Sequence, residues 1–225
     1  MEDTKRRGTQ LSDVILGGQD GLVSILGLLL GLVAATRSTR IVIAGGLATI
    51  FAETLSMGAV AYTSKMAERD HYAAERANEA REVKEVEEEE RQEIRDIYAA
   101  KGFDGKLLDD IVNHITADEK LWIDTMMREE LGLMPVIKHD VYIYSLTVGV
   151  STFVGAMLPL IPFFFLQVHP SLVVSLVMSV FILAAVGSYK GKTTLGNPFK
   201  SALEMVVIGM GAAIAGYLIG LIFKA

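Results

Sequence analysis

Residues 41–64 read IVIAGGLATIFAETLSMGAVAYTS, and residues 65–100 continue as KMAERDHYAAERANEAREVKEVEEEERQEIRDIYAA. The first stretch carries a single formal charge, Glu53. At about 1.5 Å of rise per residue it is long enough to cross a hydrocarbon core about 30 Å thick. The second stretch has neither Pro nor Gly and is dominated by Ala, Glu, Arg and Lys, all good helix formers. A helix suited to lipid thus runs into a helix suited to water. This predicts an all-α membrane protein with a charged helical domain inserted after its second span.

The rest of the chain follows the same division. Of its 27 acidic residues, 21 lie between Lys65 and Asp140, although the chain as a whole is 51% hydrophobic with a mean hydropathy of +0.39. Outside that segment lie apolar runs nearly free of charge, which a bilayer requires and a soluble core does not. Five spans are read, at residues 14–35, 41–64, 141–168, 172–189 and 202–223. The expected organisation is an N-terminal segment 1–10, spans one and two within 11–65, a helical domain 66–138, and spans three to five within 139–225. In the domain, helices are expected over 66–100, 106–115 and 118–131, with a break at Lys101-Gly102-Phe103-Asp104-Gly105 and an end at Gly132 and Pro135.

Residues 1–10 are polar and the run after them is too long for a signal core, so no cleaved signal is expected. The absence of cysteine excludes disulfides, thiolate metal sites and thiol catalysis. Lys5, Arg6, Arg7, Lys190, Lys192 and Lys200 fall on one side of the membrane, against Arg37, Arg40 and Lys224 on the other. That bias predicts a cytosolic N-terminus and places the charged domain in the cytosol. The short N-terminus suggests a plasma membrane if the chain is prokaryotic; a vacuolar membrane is expected if it is eukaryotic. No nucleic-acid partner is expected of a chain with net charge −6.

A run of glutamates is ordinarily a solvated helix face. Here the spacing argues for more. Glu79 and Glu82 are three apart, as are Glu90 and Glu93, and Glu79 and Glu90 are eleven apart, close to three turns. On an unbroken helix the four carboxylates form one stripe, whose self-repulsion calls for cations. The third domain helix offers Met126, Met127 and Glu130. Paired methionines are ordinarily core filler, but Met126 and Glu130 share a face, and a thioether beside carboxylates tilts selectivity from Mg²⁺ or Ca²⁺ toward Fe²⁺ and its neighbours.

Two carboxylates fall inside spans. Asp20 lies in span one, where burying a charge costs roughly 2.5–3.5 kcal/mol on insertion scales, and an interfacial cap is the alternative to a functional role. Span two carries Thr49, Glu53 and Met57 on one face at steps of four, with Met57 at a depth similar to that of Asp20. Gly17, Gly18, Gly21, Gly27 and Gly31 in span one, and Gly216 and Gly220 in span five, allow close helix approach. Pro159 and Pro162 should bend or break span three, freeing carbonyls that must face protein or a water-filled path.

These strings together resemble the vacuolar iron transporter family. Gly17-Gly18-Gln19-Asp20-Gly21-Leu22 resembles its Gly-x-x-Asp-Gly motif. Ala52-Glu53-Thr54-Leu55-Ser56-Met57 resembles its Ser-Met motif, followed by Tyr62 and residues 64–70, and Gly155-Ala156-Met157-Leu158-Pro159-Leu160-Ile161-Pro162 resembles its proline motif. The resemblance covers nearly the whole chain from Leu11. It implies proton-coupled antiport of a divalent metal from the cytosol, Fe²⁺ or Mn²⁺ with Co²⁺ or Zn²⁺ as further candidates. It also implies a homodimer with a metal path between protomers at Asp20 and Met57, and metal capture by Glu79, Glu82, Glu90, Glu93, Met126, Met127 and Glu130. Plant-type members carry a Glu two turns before the span-two Met. That position is Thr49 here, and Glu53, one turn closer, shares its face, so the resemblance leaves open which group takes the proton.

The alternative is a membrane-anchored di-iron oxidase or iron-storage protein, for which Glu68 and His71 supply one Glu-x-x-His. Ferritin-like sites use two such motifs. His114, His139 and His169 lack a partner set, and the chain is expected not to be an enzyme.

Overall fold

The computed structural model describes residues 2–36, 38–193 and 196–223, with side chains from residue 11 onward. Arg37, Lys224 and the side chains of Lys5, Arg6 and Arg7, counted above for orientation, lie outside the described residues. Among the described residues the elements are α1 (Glu2–Ala35), α2 (Thr39–Glu85), α3 (Glu87–Ala100), α4 (Gly105–Thr116), α5 (Glu119–Glu129), α6 (Lys138–Leu160), α7 (Pro162–Phe165), α8 (Val168–Thr193) and α9 (Pro198–Ile222). They form two compact units, Met1–Tyr62 with Tyr142–Ala225, and Thr63–Val141.

The first unit contains the apolar helices. Five are long and apolar enough to cross a membrane: Leu11–Ala35, Thr39–Glu85 through its first half, Lys138–Leu160, Val168–Thr193 and Pro198–Ile222. Its main core gathers Ile25, Leu29, Val42, Ile50, Leu160 and Phe163. Large apolar side chains such as Leu55, Phe181 and Ile222 are more than 70% exposed, an arrangement suited to acyl chains rather than water. With no hydrophobic drive between helices in lipid, close contact decides the packing. A Cβ on Gly216 would land on the Gly27 carbonyl, and one on Gly220 on that of Gly31, so α1 and α9 touch backbone to backbone.

The third span is shorter than the sequence suggests. It ends at Leu160, not residue 168, and Pro162 opens the separate turn α7. Pro159 stands inside the last turn of α6 and Pro162 three residues on; both lack an N–H and crowd the preceding turn, and the helix ends between them. The carbonyls around the break find donors on α8. Ser175 Oγ donates to the Pro159 carbonyl at 2.8 Å. Ser171 Oγ shares its proton among the carbonyls of Pro162, Leu166 and Gln167 at 3.2, 3.1 and 2.8 Å. Both serines are wholly buried, and α8 accordingly begins at Val168 rather than 172.

The second unit corrects the expectation of one helix over 66–100. The chain breaks at Val86, whose backbone leaves the helical region at φ −132° and ψ 44°. The reason is electrostatic. An unbroken helix would hold Glu87, Glu88, Glu89 and Glu90 in mid-helix, whereas the break makes them the first turn of α3, where free N–H groups favour negative charge. The N–H groups of Glu89 and Glu90 both donate to the Val86 carbonyl, at 2.9 and 3.1 Å. At the other end of α3, Gly102 adopts φ 93°, the left-handed cap that glycine accepts without strain. Asp118 caps α5, accepting from the N–H groups of Lys120 and Leu121 at 2.9 and 3.0 Å. Val83, Ile94, Leu108, Val112, Trp122, Met126 and Met127 share one core. Charged pairs rim it: Arg95–Asp109 at 2.5 Å, Lys84–Glu119 at 2.8 Å, and the close pairs Arg76–Asp124 and Lys101–Glu129.

Candidate metal sites

Two groups of donors stand out, one in each unit. In the second unit Glu79 and Glu90 are only 5% and 6% exposed. Each has a buried Oε2 without a hydrogen-bond partner. Glu79 lies one turn before Val83 on α2, and Glu90 one turn before Ile94 on α3. Both apolar residues pack in the core that holds Met126 and Met127, so the two glutamates stand one turn from that core. The eleven-residue stripe is therefore not what unites them. The break at Val86 separates the pairs onto two helices, and tertiary packing brings them within electrostatic reach.

Burial pushes the Glu79 carboxyl up to about 7, reinforced by the negative charges of Glu130, Glu90, Glu82 and Glu93 in that order. Glu90 is likewise raised to about 7, first by burial and then by Glu93, Glu82, Glu130 and Glu89. Glu130, although exposed over much of its surface, is raised by desolvation, by the charge of Glu93 with which it also shares a hydrogen bond, and by Glu82. Glu79, Glu90 and Glu130 thus each feel the charges of others in the expected set. Among the described residues, no three Asp, Glu or His side chains close far enough to hold a metal ion. Mutual repulsion is the physical reason for such spacing: like charges approach only once a cation or protons neutralise them. Met126 and Met127 are fully buried, so their thioethers serve as core packing in this arrangement.

Arg76 and Asp124 escaped the sequence reading. Their ion pair ties α2 to α5, three residues before Glu79 and three before Met127. The available signal was their placement one turn from expected donors, which is visible only once α2 and α5 are known to pack.

In the first unit Asp20 on α1 and Glu53 on α2 are both half-buried. Glu53 lies within reach of the charge of Asp20 and beside the Ser24 hydroxyl. Glu53 Oε2 is buried without a hydrogen-bond partner. Thr49 and Met57, one turn to either side of Glu53, are also half-buried. Tertiary structure therefore couples Asp20 to Glu53, the residue expected to stand in for a Glu at position 49. Ser24 was missed, although it lies four residues after Asp20 on the same helix face.

Glu68 and His71 do not form a paired site. Glu68 binds Lys65 at 2.5 Å and His71 faces Glu75 at 3.6 Å, and both are exposed on α2.

Comparison with known proteins gives the chain's family. Residues 11–221 match the family model described as the VIT family. Vacuolar iron transporter 1 of Eucalyptus grandis is 33% identical over 211 residues, covering 93% of this chain and 85% of that protein. Vacuolar iron transporter 1 of Arabidopsis thaliana is 32% identical, covering 93% of this chain and 84% of its own length. Protein CCC1 of Saccharomyces cerevisiae is 29% identical, covering 92% of this chain and 67% of its own.

Proposed function

The chain belongs to the VIT family, and from that premise we propose that it is a secondary transporter. It carries divalent iron, and with it Mn²⁺, out of the cytosol in exchange for protons. The observation that carries the reading is the pair of carboxylates on facing apolar helices, Asp20 and Glu53. Two such groups within a bilayer are costly unless cations or protons neutralise them. A site that is satisfied by either is a site that can exchange one for the other.

Each residue has a role in this reading. Asp20 and Glu53 supply oxygen ligands and the proton-binding capacity. Met57, one turn from Glu53, supplies a thioether that favours Fe²⁺ over the hard cations. Thr49, on the same face, lines the path without charge. The path is completed by a second copy of the chain, with Asp20 and Met57 at the junction. The unit formed by Thr63–Val141 is cytosolic and captures ions through Glu79, Glu82, Glu90, Glu93 and Glu130. Met126 and Met127 become ligands if the core opens locally toward the ion. The membrane is vacuolar in a eukaryotic cell, as the names of the plant relatives indicate, and the plasma membrane in a prokaryotic one.

The test is flux into proteoliposomes loaded with a metal-quenched dye, with Fe²⁺, Mn²⁺, Co²⁺ and Zn²⁺ in competition under an imposed pH gradient. Asp20→Ala and Met57→Ala are each expected to abolish Fe²⁺ uptake while the protein keeps its wild-type elution volume. Normal flux in both variants removes the intramembrane site.

A further inference from the structure

A cavity of about 840 Å³ lies in the first unit between α1, α6 and α8, away from Glu53. Its walls include Leu22, Leu146, Val150, Leu158, Ile182 and Tyr189. On α1 the lining runs from Leu11 to Leu22, about 16 Å of helix at about 1.5 Å per residue. That is about half of a hydrocarbon core about 30 Å thick, the depth of one leaflet. The cavity is a groove rather than a closed void, because Leu146, Val150 and Tyr189 are 69%, 53% and 54% exposed. All its walls belong to helices suited to span a membrane, so the open side faces lipid.

Neither vacuum nor water suits this space. A void without partner atoms forfeits dispersion contacts along its whole lining. Water needs two to four polar partners, which these walls hardly offer, and an apolar void of only about 150 Å³ already takes up a benzene-sized guest. The end of the groove has a different chemistry. Tyr189 stands there, an amphipathic ring of the kind enriched at membrane surfaces, followed by Lys190 and Lys192 in the last turn of α8. Lys5, Arg6 and Arg7 precede the α1 wall in sequence. Basic residues at a membrane surface select anionic headgroups.

We infer that this groove is a binding site for one anionic phospholipid, its acyl chains lying between α1, α6 and α8 and its headgroup against the basic end of α8. A second copy of the chain fits less well. A two-fold contact across this face would bring the basic ends of both α8 helices to one side of a shared groove, where like charges oppose each other. The inference does not depend on the transport reading, and its test uses no flux measurement.

The full-length protein is exchanged against vesicles of equal phosphatidylglycerol and phosphatidylcholine, returned to detergent, and its retained lipids are counted by native mass spectrometry. One phosphatidylglycerol per chain is expected to persist. Ala185→Trp combined with Val150→Trp fills the groove and should lose that lipid. The milder pair Ala185→Leu and Val150→Leu should lose part of it, and it serves as the test if the Trp pair fails to fold. Lys192→Gln should keep a lipid but reduce the preference for phosphatidylglycerol about fivefold. The same lipid count in wild type and a folded groove-filled variant overturns the inference. So does a groove-filled variant that changes oligomeric state with its lipid count unaltered, since the groove would then be a protein contact.

Discussion

Glu53 illustrates how much one side chain can settle. In sequence it is a charge among apolar residues, one turn from Thr49 on the same helix face. In the structure it lies beside Ser24 and within reach of the charge of Asp20, both on α1, and in the proposed exchange it is the group assigned the proton. Glu53→Gln is therefore expected to leave uptake insensitive to an imposed pH gradient, whereas Thr49→Val keeps the gradient response. The reverse result in proteoliposome flux would place the proton elsewhere. Glu79 and Glu90 make a second case, with a sign that can be worked out. Their carboxyls are raised to about 7 in the folded unit from an ordinary 4.5. Between those values the folded state holds protons that the unfolded chain has released, so stability falls as pH rises through the window. Metal-free protein should thus unfold more readily at pH 8 than at about pH 5.5, and Fe²⁺ should restore it by replacing the protons. Trp122, the chain's single tryptophan, is 3% exposed in the same core, so its fluorescence reports this unit. Glu79→Gln with Glu90→Gln should flatten the pH dependence and weaken Fe²⁺ binding in calorimetry. A wild-type melt that is level or rises with pH would contradict the assignment.

Among the elements, the informative events are interruptions. The prolines of the third span were legible in the sequence as a disturbance, but its outcome was not. Whether a proline bends a helix or ends it depends on what receives the freed carbonyls, and here the hydroxyls of α8 do so. Ser175→Ala should cost about 1–3 kcal/mol by leaving the buried Pro159 carbonyl unsatisfied. Ser179, one turn further along the same buried stripe, has an Oγ without a hydrogen-bond partner. Ser179→Ala should therefore be neutral or stabilising. Thermal denaturation of the two variants in one detergent separates them, and equal losses would mean that the hydroxyls act by packing alone. The break at Val86 is the opposite case. Residues 66–100 have no Pro or Gly to announce it, and propensity favours one helix throughout. Spacing puts Glu90 in a stripe with Glu79, Glu82 and Glu93, but the run Glu87–Glu90 that contains it is equally the signature of a helix first turn.

For the molecule as a whole, the proposed function has the path completed by a second copy. If so, preparations mixing wild-type and Asp20→Ala chains should lose flux faster than the wild-type fraction falls, because mixed dimers carry one defective half. A strictly proportional decline would assign each chain its own path. Much of this protein was readable in its sequence: the apolar spans, the charged segment between them, the glycines that permit close helices, and the carboxylates Asp20, Glu53, Glu79 and Glu90 as candidates. These follow from hydropathy, helix period and side-chain chemistry, which act over a few residues at a time. What only the tertiary structure decided was which donors meet and in what state. The repulsion between Glu130 and Glu79, the contact of Ser24 with Glu53, and the capture of the Pro159 carbonyl by Ser175 all join residues from different helices. Burial and Coulomb forces depend on distance in space, and no local pattern encodes that distance.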